Sequence, residues 1–207
     1  MSKANHPGAG SADAPDGGDP RGATWPPPFR AEAIVGRLSV CTIAHAHPLP
    51  ERLLVSLPAV GDPAPVTILI DQAGAEVPLR TLYAERTLVL FFYPKDDSPG
   101  CTAEACNFRD RYEEFLTAGA DVVGVSADPG SSHARFKSAH RLPFRLLSDP
   151  TGAARRAFGV RKTLGLLEGR VTFVIDRGGT IRHVYSSQLR MDAHADEALD
   201  VVKGLAR

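Results

Sequence analysis

Residues 87–110 read TLVLFFYPKDDSPGCTAEACNFRD, a strand, a polar turn and a helix start in one stretch. Thr87 to Tyr93 is a short apolar run of β-branched and aromatic residues with no polar interruption, the pattern of a strand buried on both faces. Pro94 ends it, and Lys95-Asp96-Asp97 forms a polar loop whose exposure is expected to screen its two carboxylates from the thiol beyond. Ser98 before Pro99 is the order of an N-cap followed by proline at the first helical position. Gly100 leaves room for a small molecule to approach the backbone. From Cys101 onward, Ala105, Phe108, Tyr112 and Phe115 follow at steps of four, three, four and three, one helical stripe with Cys101 at its head. The spacing predicts a helix over 99–118, with the Cys101 sulfur facing the packed side.

A thiol in a first helical turn meets the positive end of the helix dipole and unpaired backbone N–H groups, which favour thiolate. Taking an ordinary thiol from about 8.5 to about 6 requires about 3.4 kcal/mol. A helix N-terminus supplies about 0.3–1 kcal/mol, and up to roughly 2 in favourable sites. A cation or further donors must therefore act on the same sulfur. Cys106 lies five residues on, with roughly 7.5 Å of rise and about 140° of offset, so the two Cα atoms stand on the order of 8.5 Å apart. A disulfide needs Cα atoms closer than about 7 Å. Any bridge between these cysteines requires the first turns to unwind. On spacing alone, Cys106 reads equally well as a small buried residue.

The segment Tyr93 to Asp110 closely resembles the active-site segment of the peroxiredoxins, in particular the bacterioferritin-comigratory or Q-type group. Pro94, Ser98 and Cys101 fall in the register of that signature, and Cys106 where many members carry a second, resolving cysteine. Val60-Gly61-Asp62-Pro63-Ala64-Pro65 is similar to the family's opening turn, and Arg170-Val171-Thr172-Phe173-Val174-Ile175-Asp176 to its arginine-bearing strand. The resemblance covers about residues 57–207. Two departures are visible: Ser98 keeps the hydroxyl of the commoner threonine without its methyl, and the 160–169 stretch is short.

The resemblance implies a thioredoxin-like fold and a thiol-specific peroxidase. Cys101 would be the peroxidatic cysteine and Cys106 the resolving one, with Ser98 and Arg170 acting on sulfur and peroxide and Pro94 shaping the pocket. Hydrogen peroxide and alkyl hydroperoxides are the implied substrates and thioredoxin the implied reductant, with no cofactor or metal and a monomeric state. By periodicity alone Arg170 is a solvated strand-end arginine, and Ser98 serves as an N-cap, a catalytic hydroxyl or both. Glu104 reads as a partner for an arginine or as a solvated first-turn carboxylate. Arg109 and Asp110 read as helix-surface residues. Two other classes use the same cysteines: a non-enzymatic redox sensor or chaperone module, which oxidises slowly, and a general thiol-disulfide oxidoreductase, which reduces insulin without peroxide.

The rest of the chain supports an α/β reading. Strands are expected at 66–70, 121–127 and 144–147, helices at 131–140, 150–158 and 193–205, and a hairpin of 171–176 with 180–186 around Arg177-Gly178-Gly179. Alternating strands and helices closed by an antiparallel pair predict a sandwich with a mixed central sheet flanked by helices. The 207 residues carry 24 basic and 24 acidic side chains, which suggests no nucleic-acid partner, and no apolar run approaches the roughly 20 residues that span a bilayer. Three cysteines argue against a secreted disulfide framework, and a cytoplasmic location is expected. His45 and His47 alternate but lack the context of a metal site, and the remaining histidines lack ligand spacing. Residues 1–56 differ in composition. The first 30 are rich in Gly, Pro, Ala, Ser and Asp and are expected to be disordered, the more apolar 31–47 are expected to form at most a loose helix, and Cys41 sits in a poor match to a lipoprotein cleavage site.

Overall fold

A computed structural model describes residues 56–162 and 169–206. The expectations for the N-terminal extension, including Cys41, His45 and His47, lie outside the described residues, as does most of the short 160–169 stretch.

Thr87–Phe92 forms β3, the centre of a seven-stranded sheet. Its side chains alternate between two apolar layers. Val89 and Phe91, with Tyr93 just beyond, face one layer; Leu88, Leu90 and Phe92 face the other, and all six are buried. That division explains the uninterrupted apolar run, since neither face meets water. Before it come β1 (Ile68–Ile70), β2 (Glu76–Pro78) and α1 (Leu79–Tyr83). After it the chain runs through α2 (Pro99–Asp110), α3 (Tyr112–Thr117), β4 (Ala120–Ser126), α4 (Gly130–His140), β5 (Arg145–Ser148), α5 (Ala153–Ala157), β6 (Val171–Ile175), β7 (Ile181–Ser186) and α6 (Met191–Leu205). The strand order is β2-β1-β5-β4-β3-β6-β7. Strands β3, β4 and β5 are mutually parallel, whereas β6, β7, β1 and β2 join antiparallel. Residues of α2, α3, α4 and α6 pack on the Phe91 layer, and those of α1 and α5 on the Phe92 layer. The sheet is mixed and covered on both faces, as expected.

Three differences have physical reasons. Strand β1 starts at Ile68 rather than Val66, whose side chain is 97% exposed and has no layer to enter. The short β2 and α1 were not expected, because three- and five-residue elements carry too little periodicity to read. The expected helix over 99–118 is interrupted at Arg111. There the Arg111 guanidinium donates to the Asn107 carbonyl, the acceptor its own backbone N–H would take in a continuous helix. That N–H turns to Arg109 O instead, so a side chain intrudes on the i→i−4 ladder and breaks it.

Candidate active site

The parallel β3–β4 pair delivers the chain to the site. The Tyr93 backbone N–H donates to Val125 O at 3.0 Å, and Pro94, without an N–H, ends the ladder. The following loop is held from below. Asp96 is 4% exposed. Its Oδ1 accepts the Tyr93 hydroxyl at 2.7 Å, its Oδ2 lies 2.9 Å from His133 Nδ1, and its backbone N–H donates to Asp128 Oδ2 at 2.8 Å. Asp96 is therefore not a solvent-screened loop carboxylate, which corrects the sequence expectation. Burial pushes its carboxyl up, but hydrogen bonds from His133, Tyr93 and Ser132 outweigh that and hold it below the ordinary range. Asp97 then turns the chain with φ 56, a left-handed conformation that aspartate tolerates better than most residues.

Helix α2 starts with Pro99 in its first turn and Ser98 as its extended N-cap residue. The Ser98 side chain makes no cap bond; its hydroxyl donates to Lys95 O at 3.0 Å. The N-cap reading thus holds for position and not for the hydrogen bond, because closing the loop uses the hydroxyl proton. First-turn N–H groups are left without a side-chain acceptor. Cys101 is 1% exposed and joins Ala105, Phe108 and Phe115 in the Phe91 layer, as the stripe predicts. Cys106 is half-buried on another side of the helix, and both thiols are free.

Arg170 enters from the residue before β6 and is 4% exposed. Its Nη2 lies 3.4 Å from Cys101 Sγ, and its Nη1 donates to Glu104 Oε2 in a close ion pair. The solvated reading of Arg170 is excluded, and so is that of Glu104, which is fully buried. Gly100 has a different use from the expected one. A Cβ there would come within 2.9 Å of Met191 Cε and 3.3 Å of Arg170 Nη2, so the glycine admits those two side chains beside the thiol.

Three residues here escaped sequence reading. Arg155, 7% exposed, donates to Gly169 O at 2.7 Å and to Tyr93 O at 2.8 Å, tying the end of β3 to the chain just before Arg170. His133 was legible only as a member of the α4 face that also carries Phe136. His194 is fully buried; its Nδ1 lies 2.8 Å from Thr172 Oγ1 and its Nε2 2.9 Å from Ser187 O. Burial pushes His194 down to about 4 and Glu104 up to about 8, the latter against the opposing pull of Arg170. Arg109 stays partly exposed, paired with Asp110 and donating to His140 O.

A buried thiol thus lies at an uncapped helix N-terminus with a guanidinium on its sulfur, the electropositive surroundings in which reactive cysteines are found. Comparison with known proteins agrees with that chemistry. Residues 60–184 match the AhpC/TSA family. The chloroplastic peroxiredoxin Q of Suaeda salsa is 43% identical over 153 residues, 73% of this chain and 71% of that protein. That of Oryza sativa subsp. japonica is 41% identical over 155 residues, 74% and 71% respectively. Among solved structures, peroxidoxin BcpB from Mycobacterium tuberculosis shares 43% identity with a TM-score of 0.65, covering 70% of this chain and 97% of its own. A Xanthomonas campestris peroxiredoxin Q shares 33% with a TM-score of 0.62, covering 68% and 92%. With this fold, this thiol and these relatives, the chain belongs to the AhpC/TSA family, in its peroxiredoxin Q group, and is a peroxide-reducing thiol peroxidase.

Proposed function

We propose that Cys101 is the peroxidatic cysteine, Cys106 resolves it as an intramolecular disulfide, and thioredoxin or a similar dithiol restores the pair. The observation that carries this reading is the Arg170 Nη2 contact with Cys101 Sγ at 3.4 Å, inside the first turn of α2. The thiolate attacks the terminal oxygen of the hydroperoxide. An S–O bond forms, the O–O bond breaks, and the departing oxide takes a proton to leave as water or alcohol. Arg170 and first-turn N–H groups serve as donors to the charge moving onto oxygen, while the Ser98 hydroxyl, with its proton on Lys95 O, is left to accept from the peroxide O–H. Organic hydroperoxides belong with hydrogen peroxide as substrates. A solved structure of the Xanthomonas campestris bacterioferritin comigratory protein concerns that protein's alkyl peroxide reduction, and Met191 Cε lies against Gly100, the residue before the thiol, as an apolar group for an alkyl chain to meet.

Cys106 then attacks the sulfenic sulfur, an S–S bond forms and water leaves. Both cysteines lie in α2 and cannot meet while it is intact. Unwinding is favoured by the helix itself: it has 12 residues, no side-chain cap at its start and the Arg111 break at its end. A helix of that length is marginal without tertiary support. External dithiol exchange closes the cycle.

Cys106→Ser separates the two steps. The expected result is one sulfenic acid per chain, trapped by dimedone, formed at the wild-type rate, with steady-state turnover on thioredoxin reduced severalfold or more. Full turnover by this variant would remove Cys106 from the cycle.

A further inference from the structure

Behind Arg170 lies a row of groups that the sulfur chemistry above does not use. Glu104 has one oxygen on Arg170, whereas its Oε1 is buried with no hydrogen-bond partner among the described residues. That oxygen lies 3.5 Å from His194 Nδ1. On the other side of the imidazole, Nε2 meets the Ser187 carbonyl at 2.9 Å. A carbonyl only accepts, so Nε2 carries a hydrogen. Nδ1 also meets the Thr172 hydroxyl at 2.8 Å, which can donate to it or accept from it. The protonation of Nδ1 is then decided against Glu104. A bare Nδ1 facing an ionised Oε1 sets two lone pairs against each other in a dry site; one proton on either atom turns the contact favourable.

We propose that Glu104 and His194 share one exchangeable proton whose presence leaves the charge of Arg170 to Cys101, which makes His194 a positioning residue for the peroxidatic step. The inference rests on the assignment of Cys101 and Arg170 above. Arg170 is a single permanent cation touching two acids in a buried pocket, and it can balance only one anion. With the proton held on Glu104, that anion is the thiolate. With the proton on His194, the imidazolium balances the carboxylate and Arg170 is again released. With the proton lost, Arg170 is committed to Glu104 and the thiolate loses its partner. Burial favours the neutral forms of both groups and puts the proton on Glu104 near neutrality.

Other titratable groups on the surrounding elements are placed differently. Asp192 is exposed on α6. Tyr185 of β7 sets its ring at 86° to the His194 ring, with centroids 4.7 Å apart. His183 of β7 lies 3.7 Å from Glu197 of α6, and Arg111 at the end of α2 pairs with Asp196.

The test is the pH profile of the single-turnover rate of the prereduced full chain with hydrogen peroxide, compared for wild type, Glu104→Gln and His194→Gln. Ordinary thiolate formation raises the rate with pH. Loss of the shared proton adds a descending alkaline limb, a fall of about tenfold if one full partner charge is withdrawn. The limb is expected in wild type, absent in Glu104→Gln, which cannot ionise, and displaced in His194→Gln. A His194→Gln profile superimposable on wild type would overturn the proposal. If either variant fails to fold, the ring nitrogens of His194 in wild type report the same proton by NMR. Nδ1 is expected to move in the pH range of the limb, and a flat titration there overturns the proposal. Peroxide reduction that survives alkylation of Cys101 would instead overturn the assignment beneath it.

Discussion

Cys101→Ser is expected to reduce peroxide consumption to the level of the buffer blank while leaving the fold intact. The substitution replaces one atom in a site that is 1% exposed, so packing around Ala105 and Phe108 is nearly conserved. A serine hydroxyl at neutral pH neither ionises nor accepts an oxygen atom, and Arg170 keeps its hydrogen bond to Glu104. Stopped-flow peroxide consumption with thioredoxin and its reductase measures the loss, and a urea melt close to wild type shows that unfolding did not cause it. Measurable turnover in this variant would contradict the assignment.

Arg170→Met is expected to slow oxidation of Cys101 by about 10²–10³-fold, the loss found when one preorganised donor to a developing oxyanion is removed. Its effect on stability has a separate and diagnostic pH dependence. Removing one partner of a buried ion pair costs about 3–5 kcal/mol if the other stays charged. Glu104 escapes part of that cost by taking a proton, and its carboxyl, already raised to about 8 by burial, is pushed further without its cation. A folded-state value above the unfolded one means that stability is greatest below the ordinary value of 4.5 and is lost as pH rises through the folded value. The variant should therefore run parallel to wild type in stability up to about 8 and fall behind it above that value, where wild-type Glu104 ionises against Arg170 and the variant's cannot. Adding Glu104→Gln should restore much of the stability at alkaline pH without restoring the rate. Urea melts across pH, set beside single-turnover rates, separate the two roles. An Arg170→Met enzyme with a wild-type rate would place the essential donor elsewhere.

Much of this site is local and was legible for that reason. The run from Thr87 to Phe92, the loop that follows it and the Cys101 stripe are consecutive in sequence, so periodicity and turn chemistry define them without tertiary information. The two-layer sandwich follows from the alternation of apolar strands and helices. What escaped is what the fold assembles from afar. Asp96 and His133 are 37 residues apart and left no trace, whereas the pairing of Glu104 with Arg170, 66 residues apart, was open as one of two readings and needed the fold to decide it. A lone buried histidine has no periodic signature, so neither His133 nor His194 announced itself as part of a network. Arg155 looked like any arginine of a short helix, though it bridges two strand ends. Ser98 was misjudged in a smaller way. Its position fits an N-cap, but the competing Lys95 carbonyl is visible only once the loop is closed.

The most direct test of the account is a mass map after one equivalent of hydrogen peroxide is added to the prereduced chain and free thiols are then alkylated. Cleavage after Lys95 and Arg109 leaves both helix cysteines in a single peptide, Asp96 to Arg109. The account predicts that this peptide is recovered unalkylated and lighter by two hydrogens, with Cys41 alkylated as before. Recovery of the peptide with both thiols alkylated, after the peroxide has been consumed, would contradict it.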